Sequence, residues 1–349
     1  MNKLTTFFKK IITKIKSREL YVHTFLYSLV GFLFLFILGL AVIPQKGFPY
    51  DKVAIRIFDF EIVWYALFIM TGIISAIIVA LYEVRLKRIN VDDFYTALLI
   101  CVVTAILGAR LYYVFFDFDK ETYPTFLDII NIRNGGLAIH GAIIFAIIFA
   151  IICCKWKKIN IFFIFDILLP GFLIGQIIGR WGNFMNGELY GPAIESGFLL
   201  NVIPKFILNQ TTISGVIHHP TFLYEGIWNF VGLVLLLFIR KNKYEKLGDL
   251  LGLYLIWYGF GRAAIIEPLR VLGAAHDSLY FGGVPINILL SYVFVVIGII
   301  YLILKRVFLK NLPSYKDFDG FVEKTKKPTQ DLENSVDTND DVHSSDSIV

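Results

Sequence analysis

Eight predominantly apolar runs, each about as long as a bilayer is thick, leave this chain little freedom of fold. They lie near 20–43, 62–82, 94–115, 137–154, 159–179, 221–239, 248–266 and 283–304. A hydrocarbon core about 30 Å thick takes about 20 helical residues to cross. Hydrocarbon offers no hydrogen-bond partners, so a spanning segment must satisfy its own backbone, and a helix does so. The expected fold class is therefore an all-α polytopic membrane protein of about eight transmembrane helices. Composition agrees: 17% of residues are charged, against about 25% in a soluble domain.

Lysines and arginines set the orientation. Six precede the first run (Lys3, Lys9, Lys10, Lys14, Lys16, Arg18). With segments 83–93, 155–158, 240–247 and 305–310 they make 19, while the alternate connections hold 8. The richer side is the cytoplasm, and both termini are expected there. The first run is too long for the apolar region of a cleaved signal peptide and is read as a retained anchor, with 1–50 as a basic N-terminus plus this extra helix. Residues 311–349 hold nine acids, four lysines and few apolar side chains. Such a segment cannot bury enough surface to fold alone, so 306–349 is expected to be a disordered acidic tail behind a membrane domain over 51–305. Cys101, Cys153 and Cys154 fall in or beside apolar runs and read as small apolar residues.

On that topology the awkward polar groups share one layer. Tyr65, Arg110, His140, Arg180, His219, Tyr224, Glu225, Tyr258, Arg262, Glu267 and Arg270 all fall at the outer ends of their helices. A single arginine within the membrane costs about 2.5–3.5 kcal/mol on insertion scales, less if it snorkels. Several arginines, histidines and glutamates from six helices at one depth point instead to a shared polar cavity opening at the outer leaflet. Arginine suits it, because its fork binds phosphate oxygens in pairs and stays charged in apolar surroundings. The densest stretch is GRWGNFMNGELYG, residues 179–191, which sets Arg180, Asn183, Asn186 and Glu188 among four glycines. Gly171, Gly175 and Gly179 form a ridge of small residues read as helix packing. The histidines lack metal-ligand spacing, so no metal is expected, and no cofactor or nucleic-acid partner either. An anionic-lipid or anion transporter using the same arginines is the alternative; its pathway would need polar residues at midplane depth in several helices, and none is expected there.

The motifs resemble those of bacterial phosphatidylglycerol–prolipoprotein diacylglyceryl transferases. GRWGNFMNGELYG is similar to that family's GRxGNFxNxExxG signature. Trp64-Tyr65, the segment GGLAIHG at 135–141, HPTFLYE at 219–225, and Tyr258-Gly259 through Arg262 to Glu267 and Arg270 agree in order, over about 51–305. The resemblance implies a seven-helix core and a multi-pass enzyme of the bacterial plasma membrane whose active site faces the outer leaflet. That enzyme moves the diacylglyceryl group of phosphatidylglycerol to the lipobox cysteine of a prolipoprotein signal peptide, forming a thioether and releasing glycerol phosphate. It makes His140, Arg180 and Arg262 the catalytic candidates, with Tyr65, Asn183, Glu188, Gly191 and Glu267 next to them and Asn186 and Tyr258 in the binding set. Three departures stand out. The first helix is extra. The segment after Arg270 is longer. Four residues, where the family usually has three, separate Arg262 from Glu267, which on a regular helix turns the glutamate by about 100°.

The implied reaction sets two tasks: deprotonating a thiol and stabilising charge that grows on a phosphate. Arg180 and Arg262 are candidates for the phosphate, with Asn183 and Asn186 as neutral donors. His140 is the candidate base, and Glu188 and Glu267 orient arginines or hold the glycerol. The nucleophile is the substrate's thiol, so none of this chain's cysteines is required.

Overall fold

A computed structural model describes residues 18–45, 47–58, 60–116, 125, 129–131, 136–195, 197–242, 244–273 and 280–318. Eight of its helices are long and apolar enough to cross a membrane. They are α1 (Arg18–Val42), α2 (Trp64–Leu86), α3 (Val91–Phe116), α4 (Ile139–Lys157), α5 (Ile161–Asn186), α8 (Thr221–Ile239), α11 (Ile286–Phe308) and a composite seventh. That seventh span is α9 (Asp249–Gly261), a π-helical turn (Arg262–Ile266) and α10 (Glu267–Leu272). Two short helices, α6 (Gly197–Val202) and α7 (Lys205–Gln210), lie between α5 and α8. Three two-stranded hairpins also form outside the spans: β1–β2 (Val53–Ile57, Phe60–Val63), β3–β4 (Thr212–Ile213, Val216–Ile217) and β5–β6 (Tyr280–Phe281, Val284–Pro285).

Helix α5 is the central post. Its buried side chains include Phe163, Ile167, Leu173, Ile178, Phe184 and Met185, with α2 packed along one side and α8 along another. The small-residue ridge explains the approach of α2: a Cβ at Gly171 would lie 2.9 Å from the Ala76 carbonyl oxygen, and Gly72 faces Gly175. Gly179 does not join this ridge. Nothing among the described residues lies within 4 Å of where its Cβ would be. The extra helix α1 is fastened to the core by Leu26, Val30 and Ala41, and by Phe34 against the Trp181 ring at 5.4 Å. Helices α3 and α4 pair with each other along their length and touch the other spans lightly.

Two expectations need correction. The apolar run ending near 179 continues as helix through Asn186, so the Arg/Asn stretch is the last two turns of α5 rather than a loop; Gly187, at φ 62°, closes it. Gln210 holds that end, its Nε2 donating to the Phe184 and Met185 carbonyls at 3.1 and 3.3 Å. The segment expected to be disordered from residue 306 begins with the end of α11 and then packs back on the bundle. Tyr315 is buried beneath the end opposite Arg180, its hydroxyl donating to Glu83 Oε2 at 2.7 Å and its N–H to Glu245 Oε2 at 3.0 Å. The Arg240 guanidinium lies 4.7 Å from its ring centre and also pairs with Glu83 at 2.6 Å. Residues 319–349, the rest of that expected tail, lie outside the described residues.

Composition hid this because isolated aromatic rings and backbone contacts, not an apolar run, hold the segment: Phe318 joins Tyr315 against Phe163, and Lys87 binds the Tyr315 and Phe318 carbonyls. Tyr315→Ala should therefore destabilise the fold by about 3–5 kcal/mol, as for other buried aromatics. Tyr315→Phe should lose only the hydrogen bond to the charged Glu83, about 1.5–3 kcal/mol. Thermal unfolding of the purified protein in detergent reads both.

Candidate functional site

The GRWGNFMN turns place Arg180, Asn183 and Asn186 three residues apart, a spacing that stacks side chains on neighbouring positions of one helix face. Arg180 Nη1 donates to Asn183 Oδ1 at 3.3 Å. Asn183 and Asn186 in turn donate to Glu188 Oε1 at 2.7 and 3.4 Å. From the other side, Arg180 Nη2 lies 2.7 Å from Glu225 Oε1 on α8, a charge pairing without an aligned hydrogen bond. Glu225 gives its second oxygen to Arg270 Nη2 at 2.6 Å. Arg270 Nη1 continues to Glu267 Oε1 at 3.0 Å, and that carboxylate also takes Arg262 Nη2. Arg262 Nη1 reaches Tyr258 Oη at 3.1 Å.

The result is one chain of alternating charge: Arg180, Glu225, Arg270, Glu267, Arg262. Three cations meet two anions within the chain, and the exposed Glu188, linked to Arg180 through Asn183, adds a third anion at one end. The middle arginine is sealed in, with 5% of its side chain exposed, while the terminal Arg180 and Arg262 keep 19% and 24%. Arg262 Nε has no hydrogen-bond partner among the described residues. A buried charge chain with open cationic ends is a place for an anion, and arginine forks favour phosphate or carboxylate.

The π turn explains why Glu267 takes part. One additional residue in a regular helix would swing it away from Arg262. Here the extra residue is absorbed by a single turn of wider winding over Arg262–Ile266, after which Glu267 and Arg270 face the network again. Such single-residue bulges recur at functional sites. Deleting Ala264, an exposed member of the turn, should restore regular α-winding and keep the Arg262–Glu267 pair. Activity of that variant should stay within about tenfold of the parent, whereas inserting an alanine after Ala264 should rotate the pair apart by about 100° and abolish it. The assay is turnover of the purified variants.

Other candidates take different places. Tyr65 stacks over Gly182, where a Cβ would lie 2.7 Å from its ring, so it packs on the arginine-bearing turns of α5. Gly191 donates its N–H to the His219 carbonyl at 2.8 Å, and a Cβ there would come within 2.9 Å of His219 Cβ. His219 Nδ1 is 2.9 Å from Tyr224 Oη, and burial holds its ring below the usual imidazole range. His140 is not in the ion-pair chain. It opens α4, exposed, with its ring centroid 6.0 Å from that of Tyr112 on α3. Its position is fixed by backbone: Ala138 N–H donates to the Ala109 carbonyl at 3.0 Å, and buried Arg110 Nε donates to the Ile129 carbonyl at 2.9 Å. Arg110 thus secures the approach to His140 rather than joining the other arginines. Gly135, which opens the motif that holds His140, lies outside the described residues.

Glu225 and Arg270 stand in the polar layer and in the matching motifs, but the sequence assigns neither a role in the site. Their mutual contacts make them the centre of the site. Thr221 also belongs, its hydroxyl donating to the Leu189 carbonyl and lying 3.4 Å from Arg270 Nε. The expected absence of polar residues at midplane depth does not hold either: Ser75 and Asn229, near the middles of α2 and α8, are fully buried polar side chains. Both are short side chains in apolar runs, which hydropathy averages over.

The sequence profile of the prolipoprotein diacylglyceryl transferase family matches residues 52–304. A phosphatidylglycerol–prolipoprotein diacylglyceryl transferase of Bacillus cereus strain B4264 is 43% identical over 269 residues, covering 76% of this chain and 95% of the relative. Proteins of the same description from Bacillus mycoides strain KBAB4, at 42%, and Bacillus thuringiensis subsp. konkukian strain 97-27, at 43%, align over the same shares.

Proposed function

This chain belongs to the prolipoprotein diacylglyceryl transferase family, and we infer from that membership and the ion-pair chain that it transfers diacylglycerol from phosphatidylglycerol to a prolipoprotein cysteine. The observation that carries the reading is the chain of Arg180, Glu225, Arg270, Glu267 and Arg262, exposed only at its two arginine ends. A phosphodiester brings one negative charge. When the lipid's glyceryl C–O bond breaks, the departing glycerol phosphate carries two. Two partly exposed arginines at the ends of the chain therefore gain more from the transition state than from the bound substrate, which is the condition for acceleration.

The steps balance as a displacement. The lipobox thiol gives its proton to a base, and the sulfur attacks the glyceryl carbon that carries the phosphate. A C–S bond forms, the C–O bond breaks, and the electron pair leaves on glycerol phosphate between Arg180 and Arg262. Asn183 and Asn186, already held by Glu188, supply neutral donors at one end, and Tyr258 does so at the other. His140 is the proposed base: it is accessible, and it lies on the α3–α4 pair rather than in the ion-pair chain. The positive-inside asymmetry of the loops supports placing this site at the outer leaflet of the bacterial plasma membrane, where a signal peptide would meet it.

Purified protein, phosphatidylglycerol vesicles and a synthetic lipobox peptide test the reading by mass spectrometry. The cysteine peptide should gain one diacylglyceryl mass and its serine counterpart none. Lipid movement between leaflets with an unmodified peptide would refute transfer and support a transporter.

A further inference from the structure

A second polar layer lies beneath the ion-pair chain, and the displacement above makes no use of it. Gln176 precedes Arg180 by four residues on α5, Asn229 follows Glu225 by four on α8, and Tyr254 precedes Tyr258 by four on α9. Each step of four residues is about 6 Å along a helix, toward the bilayer centre in all three cases. Gln176 Nε2 donates to Tyr254 Oη at 2.8 Å, which leaves the phenolic hydrogen to donate onward. Asn229 is 0% exposed, on the same buried face of α8 as Glu225. Neither its Nδ2 nor its Oδ1 has a hydrogen-bond partner among the described residues, and the same is true of Gln176 Oε1. A buried amide without partners is destabilising, so leucine would serve a purely packing role at 229 better.

Depth and donor type identify what this layer can take. A glycerophospholipid whose phosphate rests on the terminal arginines continues inward through its glycerol, and its ester groups follow within a few bonds. Ester carbonyl oxygens only accept hydrogen bonds; Asn229 Nδ2 and Tyr254 Oη can donate them. We propose that Asn229, with Tyr254 oriented by Gln176, forms a subsite for an ester carbonyl of the diacylglyceryl group and so sets the depth at which the lipid is held. This rests on the transfer reading and adds a selectivity to it: diester lipids are favoured over diether lipids of equal chain length, because an ether leaves the buried amide unpaired.

The test compares diester and diether phosphatidylglycerol as donors to the lipobox peptide. The wild type should favour the diester in kcat/KM by about three- to tenfold, the worth of one neutral hydrogen bond. Asn229→Leu should bring that ratio close to one, with the loss falling on the diester lipid. Gln176→Met, which frees Tyr254, should lower the ratio part of the way and serves as the reporter should Asn229→Leu fail to accumulate. A residue that merely packs would lower turnover of both lipids by the same factor. An unchanged ratio in the variants, or a wild-type ratio of one, overturns the proposal. Wild-type transfer from the diester lipid is read in the same assay, so its absence would refute transfer itself, while transfer with a flat ratio would refute only the ester contact.

Discussion

Arg180→Ala should lower diacylglyceryl transfer by about a thousandfold or more while the protein still folds, a loss of the size seen when an arginine that stabilises a transferring phosphate is removed. The fold should survive because only one ion pair, at a partly exposed end of the chain, is lost, and each carboxylate keeps a partner. Glu225 keeps Arg270 at 2.6 Å, and Asn183 keeps Glu188 at 2.7 Å. Removing the middle arginine is a different experiment. Arg270→Ala would break two sealed ion pairs at once, with Glu225 and with Glu267, and breaking a buried charge pair costs about 3–5 kcal/mol of stability. Turnover and thermal unfolding measured together on the two variants should separate them: Arg180→Ala inactive and stable, Arg270→Ala inactive and unstable. Arg180→Lys should recover little, because an ammonium cannot present two parallel N–H groups to phosphate.

His140→Asn should cost about a hundred- to ten-thousandfold at neutral pH, the range for loss of a general base. A free thiol ionises near pH 8.5, so raising the pH past about 9 supplies thiolate without a base and should return part of the lost rate. His219 provides the internal control. Its ring is bonded to Tyr224, and what it offers Gly191 is a backbone carbonyl, which substitution leaves in place. His219→Gln should keep activity within about tenfold, far above the His140→Asn level. If the two substitutions proved equally harmful and neither were rescued by alkaline pH, the base would have to be sought nearer the arginines.

The spans were readable from hydropathy because a bilayer forces a simple rule on sequence, and all eight appear near the expected positions. What hydropathy could not supply was the register of polar groups across helices. Arg180 and Glu225 are separated by 45 residues in the sequence, and their pairing exists only because α8 packs on α5. The spacing of Arg262 and Glu267 predicts that they diverge, yet they pair, because the buried site favours their contact over regular winding of one turn. Loss of apolarity after residue 179 reads as a helix end, yet the helix continues to Asn186. There Phe184 and Met185 stay buried between polar residues that face each other, and Gln210 caps the carbonyls, so a hydropathy average misses what holds the helix. Tyr315 shows the converse: a polar segment is fixed by the rings of Tyr315 and Phe318 against Phe163 and by hydrogen bonds to Glu83, Glu245 and Lys87.

Binding of glycerol phosphate, the leaving group, tests most directly whether the open ends of the ion-pair chain hold phosphate. Calorimetry on the detergent-purified protein should show binding that weakens by about tenfold to a hundredfold in Arg180→Ala, the worth of a charged hydrogen bond. Arg56→Ala, at a solvent-exposed arginine of the β1–β2 hairpin, should bind like the wild type. Undiminished binding by Arg180→Ala, or an equal loss in Arg56→Ala, would contradict the account.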